Sequence, residues 1–164
     1  MRASLALWRT CVVASVAVCS ATPWAEEGED GAATEHAHYR YAVAGFVGAT
    51  RVHGENEPTL GVEAVVALNR EWSIGAVIER ADRQRDSTLL LIGAGWHPFG
   101  PGLRMQVGVG AKDPSGETEP VFRAGLAWEQ EIHERWFVKP YVAYDVISNE
   151  KNEGVFGVYV GRLF

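Results

Sequence analysis

The stretch GVFGVYVGRLF, Gly154–Phe164, closes the sequence with an apolar run broken by glycines and finished by an aromatic residue. Valine, tyrosine and phenylalanine at this density favour a pleated strand over a helix. As the last strand of a sheet it would pair with the first and leave no open edge, which is what a sheet needs in order to stand in lipid. Upstream, the same reading gives seven more strands: Tyr39–Val52, Thr59–Asn69, Trp72–Asp82, Thr88–Phe99, Leu103–Ala111, Pro120–Glu131 and Trp136–Ser148. Most have about the nine to eleven residues that carry a tilted strand across a bilayer. Between them lie turn-forming segments: HGENEP at 53–58, NRE at 69–71, DRQRD at 82–86, GPG at 100–102, KDPSGET at 112–118, HER at 133–135 and NEKNE at 149–153. An even number of strands puts both ends of the chain on one side.

Alternation supports this reading, because a strand sends successive side chains to opposite faces. In the second strand Leu60, Val62, Ala64, Val66 and Leu68 share a face, against Thr59, Gly61 and Glu63. The third sets Trp72, Ile74, Ala76 and Ile78 against Ser73, Gly75 and Glu79, and the fifth sets Leu103, Met105, Val107 and Val109 against Arg104, Gln106, Gly108 and Gly110. The sixth sets Phe122, Ala124, Leu126 and Trp128 against Arg123, Gly125 and Glu129. Three segments do not follow the pattern: the first strand is ambiguous, the fourth carries leucines on both faces, and Pro140 interrupts the seventh where a ladder N–H is needed.

A soluble sandwich also alternates, so the level of the aromatic residues has to separate the two. If the strands run up and down, Trp72, Trp96, Phe99, Trp128, Trp136 and Phe164 all lie near the short turns, at the end that carries the termini. The tryptophans there share the oily face. Large amphipathic rings gathered at one level form an interfacial girdle, whereas tryptophans filling a soluble core would sit in mid-strand. The expected fold is therefore an all-β, eight-stranded, antiparallel, up-and-down transmembrane β-barrel over residues 39–164.

The inward face carries Glu63, Glu79, Arg104, Arg123, Glu129, Lys139 and Asp145. By strand position, Glu63, Glu79, Arg123 and Asp145 group toward the loop end, and Arg104, Glu129 and Lys139 toward the turn end. A barrel of eight strands is only wide enough for its own side chains, so opposite charges should pair and plug it. In the alternative, the excess of acid in the loop-end group holds a proton or small cation, or marks a narrow solute or ion pathway.

Ahead of the barrel, Arg2 and Arg9 flank the start of CVVASVAVCSA, Cys11–Ala21, an apolar segment of signal-peptide length and too short for a spanning helix. Residues 1–25 are expected to be a signal peptide and 26–38 a polar periplasmic leader. Both cysteines fall in the signal peptide, leaving no thiol and no disulfide in the remainder. Removing residues 1–25, with two arginines and no acid, takes the 15 basic residues to 13 against 21 acidic ones, a formal charge of −8. That balance disfavours a nucleic-acid partner. His36 with His38, and His53 with Glu55 and Glu57, are short polar stretches without the converging ligands a metal site needs, so no metal or cofactor is expected.

The terminal aromatic on an apolar closing strand resembles the assembly signal of outer-membrane barrels, in which the last phenylalanine points at lipid. Arg162 stands where that signal often carries a second apolar or aromatic residue. With its short loops and polar leader, the whole chain resembles small eight-stranded outer-membrane β-barrel proteins of Gram-negative bacteria. The resemblance implies an outer-membrane location and the barrel fold. It carries over no functional residue. The termini are expected in the periplasm, the role is expected to be structural or envelope-related, with a narrow solute or ion pathway as the alternative, and the expected partners are outer-membrane lipids and the barrel-assembly machinery. A monomer is expected. A lipid-modifying enzyme is the further alternative: the His-x-Ser-Asn run of lipid A deacylase barrels does not occur, the remaining constellation is His53 with Ser148 and Glu55 or Asp145 as orienting acid, and no catalytic residue is assigned.

Overall fold

Neighbouring strands pair antiparallel around the sheet, and the first strand also pairs with the last, so the sheet closes into a barrel. The computed structural model describes residues 40–82, 87–99, 102–113, 118–148 and 152–164. The expected signal peptide and leader, with His36 and His38, lie outside these. The strands are β1 (Tyr41–Val52), β2 (Glu55–Ala67), β3 (Trp72–Ala81), β4 (Ser87–Trp96), β5 (Leu103–Asp113), β6 (Glu119–Trp128), β7 (Gln130–His133), β8 (Trp136–Ile147) and β9 (Glu153–Leu163). At the seam Tyr41 and Phe164 exchange main-chain bonds, Phe164 N–H to Tyr41 O at 2.8 Å and Tyr41 N–H to Phe164 O at 3.2 Å.

β6 and β7 are two parts of one barrel strand. Both pair with β8, and the register is kept across the break, Ala127 opposite Tyr141 and Gln130 opposite Val138, before it shifts between Glu131 and His133. The break at Glu129 falls beside Pro140, which has no amide N–H to give to the ladder. The Glu129 N–H is held from the other side, by the Gly102 carbonyl at 2.7 Å. The barrel thus has eight strands and is all-β, antiparallel and up-and-down, as the sequence predicts.

Several boundaries differ from the expected ones. The six-residue connector at 53–58 is a two-residue turn, with His53 at φ 53° and Gly54 at φ 91°. Positive φ at both central positions matches the twist of the flanking strands, so pairing resumes at once with Val52 opposite Glu55. Lys112, Asp113 and Glu153, expected in turns, likewise belong to strands. The turn between β2 and β3 is fixed by the Asn69 side chain, whose Oδ1 accepts from the Glu71 and Trp72 amides at 2.8 Å each.

The two strands that escaped the alternation have a common reason: part of the lumen is apolar. From β1, Ala44 and Phe46 point inward and pack with Phe137, Tyr141 and Tyr159. Phe46 and Tyr159 ring centroids lie 4.7 Å apart, and Tyr141 meets Tyr159 edge-on at 5.4 Å. From β4, Leu89 and Leu91 point inward onto Val77, Val121 and Ile147. Glycines make room for these rings in so narrow a tube. A Cβ at Gly125 would stand 2.8 Å from the Tyr141 ring, and one at Gly161 2.5 Å from Phe137.

Outside, the wall is a continuous apolar surface that includes Val47, Leu60, Ile78, Ile92, Val109 and Val142, all exposed. Trp72, Trp96, Trp128, Trp136, Phe99 and Phe164 are exposed as well, at the turn end. Trp72 and Trp96 face each other across β3 and β4 and stack at 6.0 Å. Arg162, next but one to the terminal residue, lies over the Phe164 ring at 5.4 Å.

Candidate functional site

With the outer wall apolar, the polar chemistry lies in the lumen, where charged side chains are buried among aromatic rings. Arg123 on β6 and Asp145 on β8 are direct cross-strand partners. Their contact is bidentate: Arg123 Nε donates to Asp145 Oδ1 at 2.6 Å and Nη2 to Oδ2 at 2.8 Å. The remaining arm, Nη1, donates to Glu79 Oε1 at 2.8 Å, and Tyr159 donates to the same oxygen at 3.2 Å. All three charged residues are at most 4% exposed. One fork of donors therefore neutralises two acids.

A second cluster centres on Glu63, 1% exposed, which is ion-paired to Lys139. Gln106 donates its amide to Glu63 Oε1 at 2.8 Å, and Arg104 Nη1 stands 3.6 Å from the same oxygen. Lys139, fully buried, also lies over the Tyr159 ring, 4.3 Å from its centroid. Along β8, Tyr141 stands between Lys139 and Asp145, so the aromatic cluster separates the two charge layers.

This grouping corrects the one read from strand position, which put Glu63 beside Arg123. Register is the reason. Glu63 lies opposite Val77, whereas Glu79, two residues further along β3, lies opposite Gly61. Glu79 is therefore one inward step nearer the loop end, and strand tilt then carries Glu63 to Lys139.

Glu129 is half-buried and makes no ion pair among the described residues, although it shares a side of the lumen with Lys139 and Arg104. A third buried pair, Lys112 with Glu153, lies toward the loop end, as does a Thr50–Thr59 hydroxyl contact of 2.8 Å. Lys112 and Glu153 lie in segments whose composition reads as turn, 112–118 and 149–153, and the structure places them in β5 and β9 instead. The signal was available, since Lys112 continues the inward parity of Arg104, Gly108 and Gly110.

At the turn end a cavity of about 90 Å³ is lined by Ser73, His97, Arg104, Glu63 and Glu129, together with apolar residues including Phe137 and Leu163. His97 follows the end of β4. Burial, with Arg104 and Lys139 nearby, holds its imidazole below the ordinary histidine range. Elsewhere, His53 and Ser148 are exposed and no hydrogen bond joins them among the described residues. No group of three or more His, Cys, Asp or Glu converges on a metal position among the described residues.

Comparison with solved structures places this architecture. The chain is similar to the N-terminal β-barrel domain of Pseudomonas aeruginosa OprF, with a TM-score of 0.58 at 17% identity over 77% of this chain and 100% of that one. It is similar to Ail, the attachment invasion locus protein of Yersinia pestis, at a TM-score of 0.53 and 11% identity over 76% and 97% of the two chains. It is also similar to the outer-membrane enzyme PagL, at 0.50 and 10% over 74% and 98%. No protein-family model and no curated protein sequence matches the chain. At these identities the likeness is one of fold: the chain has the fold of small eight-stranded outer-membrane β-barrels. The same fold carries an attachment protein and an enzyme, so it does not choose a role.

Proposed function

We propose that the protein is a structural component of the cell envelope, set in the outer membrane with its termini in the periplasm and its lumen closed by paired charges. The observation that carries this is the Arg123–Glu79–Asp145 triad, buried and bonded through every arm of the guanidinium. Buried ions satisfied in this way fill the bore and leave the lumen stiff. The outward apolar wall with its tryptophan girdle supports a lipid setting. Expected partners are outer-membrane lipids on that wall and the barrel-assembly machinery at the terminal strand. The protein acts as a monomer.

Fractionation tests the location. The protein is expected with the outer membrane, and unheated samples should migrate faster on a gel than boiled ones because the closed barrel stays compact. Recovery in the soluble periplasmic fraction would overturn the reading.

A further inference from the structure

The outer wall is apolar through its middle, but toward the loop end it carries a guanidinium. Arg51, second from the end of β1, points outward and is exposed. Among the described residues its side chain makes no hydrogen bond and no ion pair. Arg80, which also points outward toward this end, already has an interaction partner. The cross-strand partners of Arg51 are uncharged: Asn56 on β2 and Gly154 on β9. Gly154 in turn lies opposite Tyr144 on β8, and Tyr144 opposite Ala124 on β6. Residues paired directly across an antiparallel sheet point to the same face, so Asn56, Arg51, Gly154, Tyr144 and Ala124 form one row across the outside of the barrel.

Gly154 leaves a gap in that row. A Cβ there would meet nothing within 4 Å, so neither the Arg51 side chain nor the Tyr144 ring closes over it. The ring is 52% exposed and stands between a glycine and an alanine, which leaves its faces open. Toward mid-wall, Phe156 and Val142 stand opposite each other below the gap, both exposed. Arg51 and Tyr144 are two strand spacings apart, about 10 Å. The notch therefore has a cation with an amide beside it at one end, bare backbone in the middle, an aromatic ring at the other end and an apolar floor.

We propose that this notch holds the headgroup of a lipid built on a phosphorylated sugar. The phosphate sits on Arg51 and Asn56, the sugar ring lies over Gly154 against Tyr144, and an acyl chain runs down the wall past Phe156 and Val142. The proposal deepens the lipid-facing reading of the wall and rests on it. A guanidinium takes a phosphate in two parallel hydrogen bonds. The negative face of an aromatic ring attracts the C–H groups on the flat side of a sugar. A plain glycerophosphate headgroup would satisfy Arg51 but leave Tyr144 and the gap at Gly154 unfilled, so the row favours the sugar.

The test uses the full chain folded in phosphatidylcholine nanodiscs. Nuclear magnetic resonance follows the Arg51 Nε–H and the Gly154 N–H as lipid A, whose headgroup is a phosphorylated disaccharide, is added in rising mole fraction. Dephosphorylated lipid A and phosphatidylglycerol are the comparison arms. Both signals should shift to saturation with lipid A, and each comparison lipid should need roughly tenfold more. Arg51→Gln and Tyr144→Val should each raise the lipid A midpoint read at Gly154 by a similar factor, while Arg80→Gln leaves it unchanged. Four results would each overturn the proposal: no saturation with lipid A, either comparison lipid saturating at the same mole fraction, an unchanged midpoint in Arg51→Gln or Tyr144→Val, or an equal rise in Arg80→Gln. The wild-type titrations decide the first two even if a variant does not fold. Because the lipid is supplied in the disc, failure here strikes the notch alone, whereas the membrane location is decided by fractionation.

Discussion

Arg123→Ala is expected to destabilise the folded barrel by roughly 3–5 kcal/mol, because removing one partner of a buried network strands the charges left behind. Glu79 and Asp145 would then face each other without the guanidinium that bonds both. A cavity the size of the lost side chain adds to the loss. Arg80→Ala is the matched comparison: Arg80 also lies toward the loop end, but it points outward and is exposed. Its loss should cost less than about 1 kcal/mol. Urea titration of both variants refolded in lipid vesicles measures the difference, and equal losses would show that the inward and outward faces are misassigned.

Gly157→Val should have an effect of similar size by a different route. Gly48 and Gly157 lie opposite each other at the β1–β9 seam, under the Phe46 ring. A Cβ at 157 would stand 2.5 Å from the Val47 carbonyl oxygen and 2.6 Å from the Gly48 Cα. Both are backbone atoms of the partner strand, so the clash opens the joint that closes the barrel. A loss of about 3 kcal/mol or more is expected, at the upper end for overpacking. Gly45→Ala on the same strand, with nothing within 4 Å of the added methyl, should be close to neutral. The heat-modifiable fraction on a gel reads the contrast directly: a sharp drop for Gly157→Val and none for Gly45→Ala.

The fold was legible because alternation needs no knowledge of pairing. Leu60, Val62 and Ile74, Ile78 point outward by parity alone, and so do the four tryptophans of the barrel strands. Where the sequence was ambiguous, the lumen itself was mixed: Phe46 and Leu91 are inward apolar residues on strands whose outward residues are apolar too. Turn chemistry misled at 53–58, where Asn56, Glu57 and Pro58 read as a loop. A positive-φ His53–Gly54 turn lets them continue the ladder instead.

Which charges point inward followed from parity, but which charge meets which did not. That depends on register and tilt, quantities set by the whole closed sheet. Glu63 therefore joins Lys139 instead of Arg123, and Lys112 pairs with Glu153 across the bore. The break at Glu129 is a milder case: Pro140 signalled an irregularity, and the closed sheet shows that it falls in the neighbouring strand, between β6 and β7.

The central claim, that paired charges close the lumen, is tested most directly by single-channel recording of the purified protein in planar bilayers. The account predicts no steady conductance at neutral pH, since the Arg123 triad and the Lys139–Glu63 pair occupy the bore on either side of an aromatic layer. A stable open level in the wild-type protein would contradict it and favour a narrow ion pathway in place of a plug.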